Sequence, residues 1–429
     1  MTTTIMLQIL PFWFASLLLG VPLFVGMALA AMAFAYLGGF PMGIVPQKIG
    51  QSANSFPLLA APLFILMGNI MNSAGVTDRI FAFATACVGW LRGGLCHANI
   101  FASVIFAGMS GSAVADAGGV GTLEIKAMRD EGYDPETAAA ITAASATIGP
   151  IIPPSLPMVI YGVSADVSIG GLFLAGILPG LLMAGALMAM VSVVARRKNL
   201  PRHPFPGTRD LWHAYCKAHW ALMTPVILFG GMMLGIFTPT EAAAVATVYA
   251  LVLGLVVYRS FSLKDLPKLL VSTVETTGVV LALVMAAAAL GWCLSISRIP
   301  QTVGPMIIEL AGNPLVFLLI VNALLLFVGL FMEALAAMLI LIPILVPAAA
   351  QFGIDPIQFG LVFVLNLMIG TITPPVGVVL FVTAKIAGIS FEAMSRAIVP
   401  WLLPLLAVLF AITFWPPLTT WLPNAVMGK

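Results

Sequence analysis

Apolar runs of 18 or more residues recur along this chain, separated by short turns rich in Gly, Pro and basic residues. Runs of that length read as membrane-crossing helices, because about 20 residues rising ~1.5 Å each span a ~30 Å hydrocarbon core. Residues 170–194, 219–237, 241–258 and 273–296 give uninterrupted spans. Residues 135–164 and 356–384 give spans broken by Pro153-Pro154 and Pro374-Pro375. Residues 95–125 predict two legs of about 14 residues, each reaching roughly 21 Å, too short to cross. They fit a re-entrant hairpin with its tip near Gly108-Met109-Ser110-Gly111-Ser112, and residues 314–349 fit a second with its tip near Gly329 to Glu333. The apolar N-terminus runs to Tyr36 without a basic n-region and reads as retained rather than cleaved. Gly20-Val21-Pro22 leaves open whether it is one kinked helix or two short ones.

The second half repeats the first. Gly132-Tyr133-Asp134-Pro135 matches Gly353-Ile354-Asp355-Pro356 at a displacement of 355 − 134 = 221. The same displacement places Ile148 through Pro154 on Ile369 through Pro375 without a gap. Composition matches by chance in so apolar a chain, but two proline motifs at constant spacing do not, and secondary carriers are commonly built from such repeats.

Composition then narrows the class. Hydrophobic residues are 61% and charged residues 8% of 429, against about a quarter charged in soluble domains, so a soluble fold is excluded. The net charge of +2 matters less than its placement. Arg196, Arg197, Lys198, Arg202, Arg209 and Lys217 form the densest basic cluster, which the positive-inside rule assigns to the cytoplasm. Tracing outward from it inverts the second half relative to the first. The predicted fold is an all-α polytopic membrane protein with two inverted repeats, each holding one re-entrant hairpin and one broken helix. Its parts are N-terminal scaffold helices (1–56), a first repeat (57–198), a cytoplasmic loop (199–218), a scaffold hairpin (219–270) and a second repeat (271–429).

Chemistry gathers at the tips and breaks. A proline pair removes two backbone donors and frees carbonyls, which need a partner inside a membrane. The tips add Ser110, Gly111 and Ser112, or Gly329 to Glu333, and the breaks add Thr147 and Ser155, or Asn366, Thr371 and Thr373. Neutral oxygen donors of this kind suit Na⁺, and half-helix N-termini suit an anionic substrate. The alternative is a packing kink whose hydroxyls bond back to the helix. Asp116 and Glu333 are the acidic residues nearest the tips, and Asp116 reads equally well as a helix-start residue. Thr238-Pro239-Thr240-Glu241 reads as a helix start rather than a ligand site. The four cysteines lack metal or disulfide spacing, HExxH and GxSxG are absent, and no cofactor motif is present, so neither an enzyme nor a metalloprotein is indicated.

The segments Gly108 to Asp116, Ile148 to Ser155 and Gly370 to Pro375, in this order and at this length, resemble the large membrane subunit of TRAP (tripartite ATP-independent periplasmic) transporters, the DctM-like proteins. That resemblance covers essentially the whole chain. It implies a Na⁺ symporter of the bacterial inner membrane that imports an organic acid by an elevator movement within the ion-transporter superfamily. The substrate would be a dicarboxylate, sialic acid or similar, delivered by a periplasmic (DctP-like) binding protein, with a separate small four-helix (DctQ-like) membrane subunit. It further implies one sodium site drawing on Ser110, Ser112, Gly149, Ile152 and Pro154, and another on Gly329, Met332, Gly370, Thr373 and Pro375. Gly111, Asp116, Thr147, Ser155, Glu333, Asn366 and Thr371 are then candidates for substrate binding or coupling. The competing reading is a single-component Na⁺/carboxylate symporter, but such carriers usually have Ser-Asn-Thr at the tips, where this chain has Ser-Gly-Ser and Phe-Met-Glu.

Overall fold

A computed structural model describes residues 2–299 and 309–428; residues 300–308, inside the second repeat as read from sequence, lie outside the described residues. The described chain is helical, and its helix ends follow local chemistry. Asp134 and Asp355 cap helices whose first residues are Pro135 and Pro356, each carboxylate accepting from the backbone N–H groups of the first turn. This is the arrangement that the Asp-Pro pair favours, since Pro has no N–H to leave unsatisfied at that position. Thr238 and Glu241 close a reciprocal capping box, so that motif is spent on starting a helix.

A frame is built from α1 (Thr2–Leu18), α2 (Leu23–Leu37), α3 (Ile44–Ala53), α4 (Ala60–Ser73), α12 (Thr208–Met233), α13 (Pro239–Val252) and α14 (Leu266–Ile296), with α5 (Val76–Val88) packed between α12 and the first hairpin. The N-terminal stretch is thus two helices, separated at Gly20, whose φ of +82° ends α1. α12 begins inside the segment read as a loop, so only residues 198–207 are non-helical there.

The first hairpin is α6 (Gly94–Ser110) followed by α7 (Ala113–Gly118) and α8 (Val120–Asp130). Its second leg is therefore itself interrupted, at Gly118-Gly119, where two residues without Cβ offer the least resistance to leaving the helix. The first broken helix is α9 (Pro135–Ala146) and α10 (Leu156–Ala165), followed by α11 (Ile169–Arg197). The second half repeats this order as hairpin α15 (Pro314–Gly329) and α16 (Ala334–Gln351), broken helix α17 (Pro356–Gly370) and α18 (Val378–Ala387), and long helix α19 (Phe391–Phe414) before α20 (Pro417–Met427). At ~1.5 Å per residue α9 and α10 reach only ~18 Å and ~15 Å, so neither half crosses a membrane alone. Among the described residues six helices are long and apolar enough to cross, α16 among them, which makes the second leg of the second hairpin nearly a full span.

The repeats interlock by exchange. α10 of the first repeat packs on α16 and α17 of the second, while α18 of the second packs on α7, α8 and α9 of the first. The Tyr161 and Phe363 rings meet across this seam at 5.8 Å. Arg129, at the end of α8, donates to the Ala387 carbonyl at the end of α18 (3.3 Å), placing a cation where helix carbonyls accumulate.

Candidate functional site

Each hairpin tip is pressed onto the break of its own repeat through glycine. Gly111 takes a φ of +65°, and a Cβ there would stand 2.7 Å from the Pro154 carbonyl oxygen, so tip and break touch by backbone. In the second half a Cβ on Gly370 would stand 2.7 Å from the Gly329 Cα. Both positions need glycine for closeness, and Gly111 also for its left-handed backbone.

Ser112 and Glu333, which the 221-residue displacement pairs, do the same structural work. Ser112 caps α7, its Oγ accepting from Ala115 N (3.4 Å), and Glu333 caps α16, its carboxylate accepting from Ala336 N (3.1 Å). The two tips thus each end in a helix N-terminus, with backbone donors and a positive dipole end beside the break. Ser110 is the last residue of α6, and its side chain is outside the described part.

In the first break the carbonyls of Gly149, Ile152 and Pro154 accept no backbone donor among the described residues. The side chain of Asp116 lies directly against Gly149, leaving no room for a Cβ. Ser155 donates to the Pro150 carbonyl (2.5 Å) and caps α10. Thr147 donates to Ala144 O (2.7 Å) and is turned back into α9. In the second break Thr373 donates to Ile369 O (2.7 Å) and Thr371 to Met368 O (2.6 Å). A hydroxyl that donates its hydrogen inward keeps its lone pairs for another partner, so back-bonding and cation binding are compatible at Thr373. Residues 147–155 are buried throughout, whereas Pro375 and Glu333 are exposed and Met332 and Thr373 half-buried. The first break is thus more deeply buried than the second.

Asn366 stands apart from the tip. Its Nδ2 donates to the carbonyl (3.0 Å) and Oδ1 (2.7 Å) of Asn322 on α15, and Asn322 donates to Thr413 on α19 (3.0 Å). The first repeat has a counterpart that sequence reasoning missed. Ser145, which the displacement pairs with Asn366, donates to Asn99 on α6 (2.5 Å), and Asn99 Nδ2 donates to Glu124 (2.6 Å) and Thr142 (2.9 Å). Each repeat therefore bolts its first hairpin leg to its broken helix through a buried Asn, where an unsatisfied amide would be costly. The signal in the sequence was a single Asn inside each apolar leg, together with the Ser145–Asn366 pairing.

Two helix N-termini presented at two hairpin tips beside two broken helices, inside an all-helical bundle of membrane-crossing length, define a secondary-transporter architecture. Comparison with known proteins assigns the family. Residues 10–418 match the DctM component of the tripartite ATP-independent periplasmic transporters, and the chain belongs to that family of large permease subunits. It is 45% identical over 97% of its length to the sialic acid TRAP transporter large permease protein SiaM of Vibrio cholerae, covering 98% of that protein. It is 42% identical to the C4-dicarboxylate TRAP transporter large permease protein DctM of Pseudomonas aeruginosa, over 88% of each chain. Its fold is similar to that of the Alcanivorax borkumensis YdaH transporter, with a TM-score of 0.66 over 88% of each chain at 15% identity. The protein is thus a multi-pass membrane transport subunit and not an enzyme.

Proposed function

We propose that this chain is the transmembrane subunit that carries an organic acid across the bacterial inner membrane, driven by Na⁺ bound at the two tip-and-break half-sites. The supporting observation is the paired geometry itself. In each repeat a hairpin tip abuts a proline break through glycine, bringing freed carbonyls and a hydroxyl or carboxylate to one place. One site then draws on Ser110, Ser112, Gly149, Ile152 and Pro154, the other on Gly329, Met332, Gly370, Thr373 and Pro375. Substrate is a carboxylate such as a sialic acid or a C4-dicarboxylate, in line with the names of the relatives. A periplasmic binding protein delivers it, a small four-helix subunit completes the membrane part, and the interlocked repeats move against the frame as an elevator.

Uptake into proteoliposomes containing this chain and the small subunit, with loaded binding protein outside, tests the reading. An inward Na⁺ gradient is expected to drive accumulation. Equal rates with K⁺ in place of Na⁺, together with dependence on a pH gradient, would overturn Na⁺ coupling. Full uptake without binding protein and small subunit would favour a single-component symporter instead.

A further inference from the structure

The glutamate of the first-repeat bolt is only half used. Glu124 is 1% exposed; its Oε2 accepts from Asn99, but its Oε1 has no hydrogen-bond partner among the described residues. A carboxylate only accepts, and an oxygen stripped of water and left unbonded is costly. Glu124 lines a small cavity of about 10 Å³ shared with Asp116, Ser103, Thr142 and Ser145. That volume holds one water-sized body. Asp116 is 6% exposed, and no Lys, Arg or His lines the cavity.

A water would bond the orphan oxygen but leave two carboxylates facing one small space. A monovalent cation bonds it and neutralises a charge. Every donor is a hard oxygen, two carboxylates and three hydroxyls, which suits Na⁺ rather than a transition metal. Mg²⁺ retains several waters and Ca²⁺ takes six or more oxygens, and a one-body cavity accommodates neither shell.

We propose that one dehydrated Na⁺ binds in this cavity, held by Glu124 and Asp116 with the hydroxyls of Ser103, Thr142 and Ser145, as a site additional to the two half-sites. Its ligands come from α6, α7, α8 and α9, so the ion ties both legs of the first hairpin to the first broken helix. Asp116, against Gly149, stands between this ion and the first half-site. The site has no twin, because the displacement pairs Asp116 with Ala337 and Glu124 with Leu345. The inference does not depend on the half-site assignment.

Equilibrium binding of radioactive Na⁺ to the purified full-length chain in lipid nanodiscs tests it. Glu124→Gln keeps the shape and the acceptor for Asn99, and is expected to bind one Na⁺ fewer per chain than the unaltered protein. Thr142→Val is expected to weaken the same ion, whereas Thr373→Val is expected to leave it bound. An unchanged number and affinity of bound Na⁺ in Glu124→Gln would overturn the site and leave a water or a proton in the cavity. Should Glu124→Gln not fold, unchanged affinity in both Thr142→Val and Ser103→Ala would do so. Failure of the half-sites would show separately, as Na⁺ binding indifferent to Thr373→Val and Ser112→Ala.

Discussion

At the scale of single residues, the proposed half-sites are tested at the hydroxyls of the breaks and tips. Thr373→Val keeps side-chain shape and removes one oxygen, so a weaker apparent Na⁺ affinity with normal membrane insertion is expected, and Ser112→Ala should act likewise on the other half-site. Thr247, whose hydroxyl bonds Leu63 O (3.0 Å) inside the frame, is the control, since an ordinary interhelical hydrogen bond in a membrane contributes only about 0.6 kcal/mol on average. Na⁺ dependence unmoved by Thr373→Val and Ser112→Ala but altered by Thr247→Val would make the proline pairs packing kinks. At the helix end outside the span, partial burial raises the Asp134 carboxyl, but hydrogen bonds from Thr137 and from Lys198 (2.9 Å) outweigh it and hold the group below the usual aspartate range. A depressed value means that this tie stabilises the folded protein above the ordinary aspartate pKa of about 3.9 and is lost as pH falls through the folded value. Melting curves should show this acid-side loss reduced in Asp134→Asn. Asp134→Ala, which also removes the cap, should cost about 1 kcal/mol more.

At the scale of elements, the seating of tip on break is decided by glycine. Gly370→Ala puts a methyl into the Gly329 backbone and is expected to abolish transport while the protein still inserts, whereas Gly230→Ala, with open space around it on α12, should be neutral or slightly stabilising because Ala is the better helix former by about 1 kcal/mol. Transport by Gly370→Ala at the normal rate would show that the tip does not close on the break. The two proline breaks, the two hairpins and the Asp-Pro starts were legible from spacing and capping rules. The interruption of the first hairpin at Gly118-Gly119 was not, because a glycine pair within an apolar run is also tolerated inside membrane helices. The length of α12 was missed for a related reason: its first turns, Thr208 to Lys217, are polar and basic, and read as loop without the tertiary contacts to α5.

At the scale of the whole molecule, the repeats are held together by exchange of their half-helices, and the basic end of the fold gathers Lys198 on Asp134 and His203 on Glu131 (2.7 Å). We expect this end to face the cytoplasm. Cysteine placed at position 203, on a background without Cys87, Cys96, Cys216 and Cys293, should resist impermeant reagents in intact cells and react in inverted vesicles, whereas cysteine at position 166 or 355 should do the opposite. Labelling of position 203 from outside would refute the inverted arrangement.

The sequence by itself determined the class, the repeat and the positions of the breaks, because a bilayer imposes lengths on apolar runs and proline and glycine punctuate helices locally. Only the tertiary structure decided which polar groups meet. Asn99 reaches Ser145 and Glu124, and Asn322 reaches Asn366, across separations that periodicity does not encode. The polar bolts of each hairpin, and the orphan oxygen of Glu124, exist because packing an apolar bundle leaves a buried donor or acceptor no partner but the one that folding brings to it.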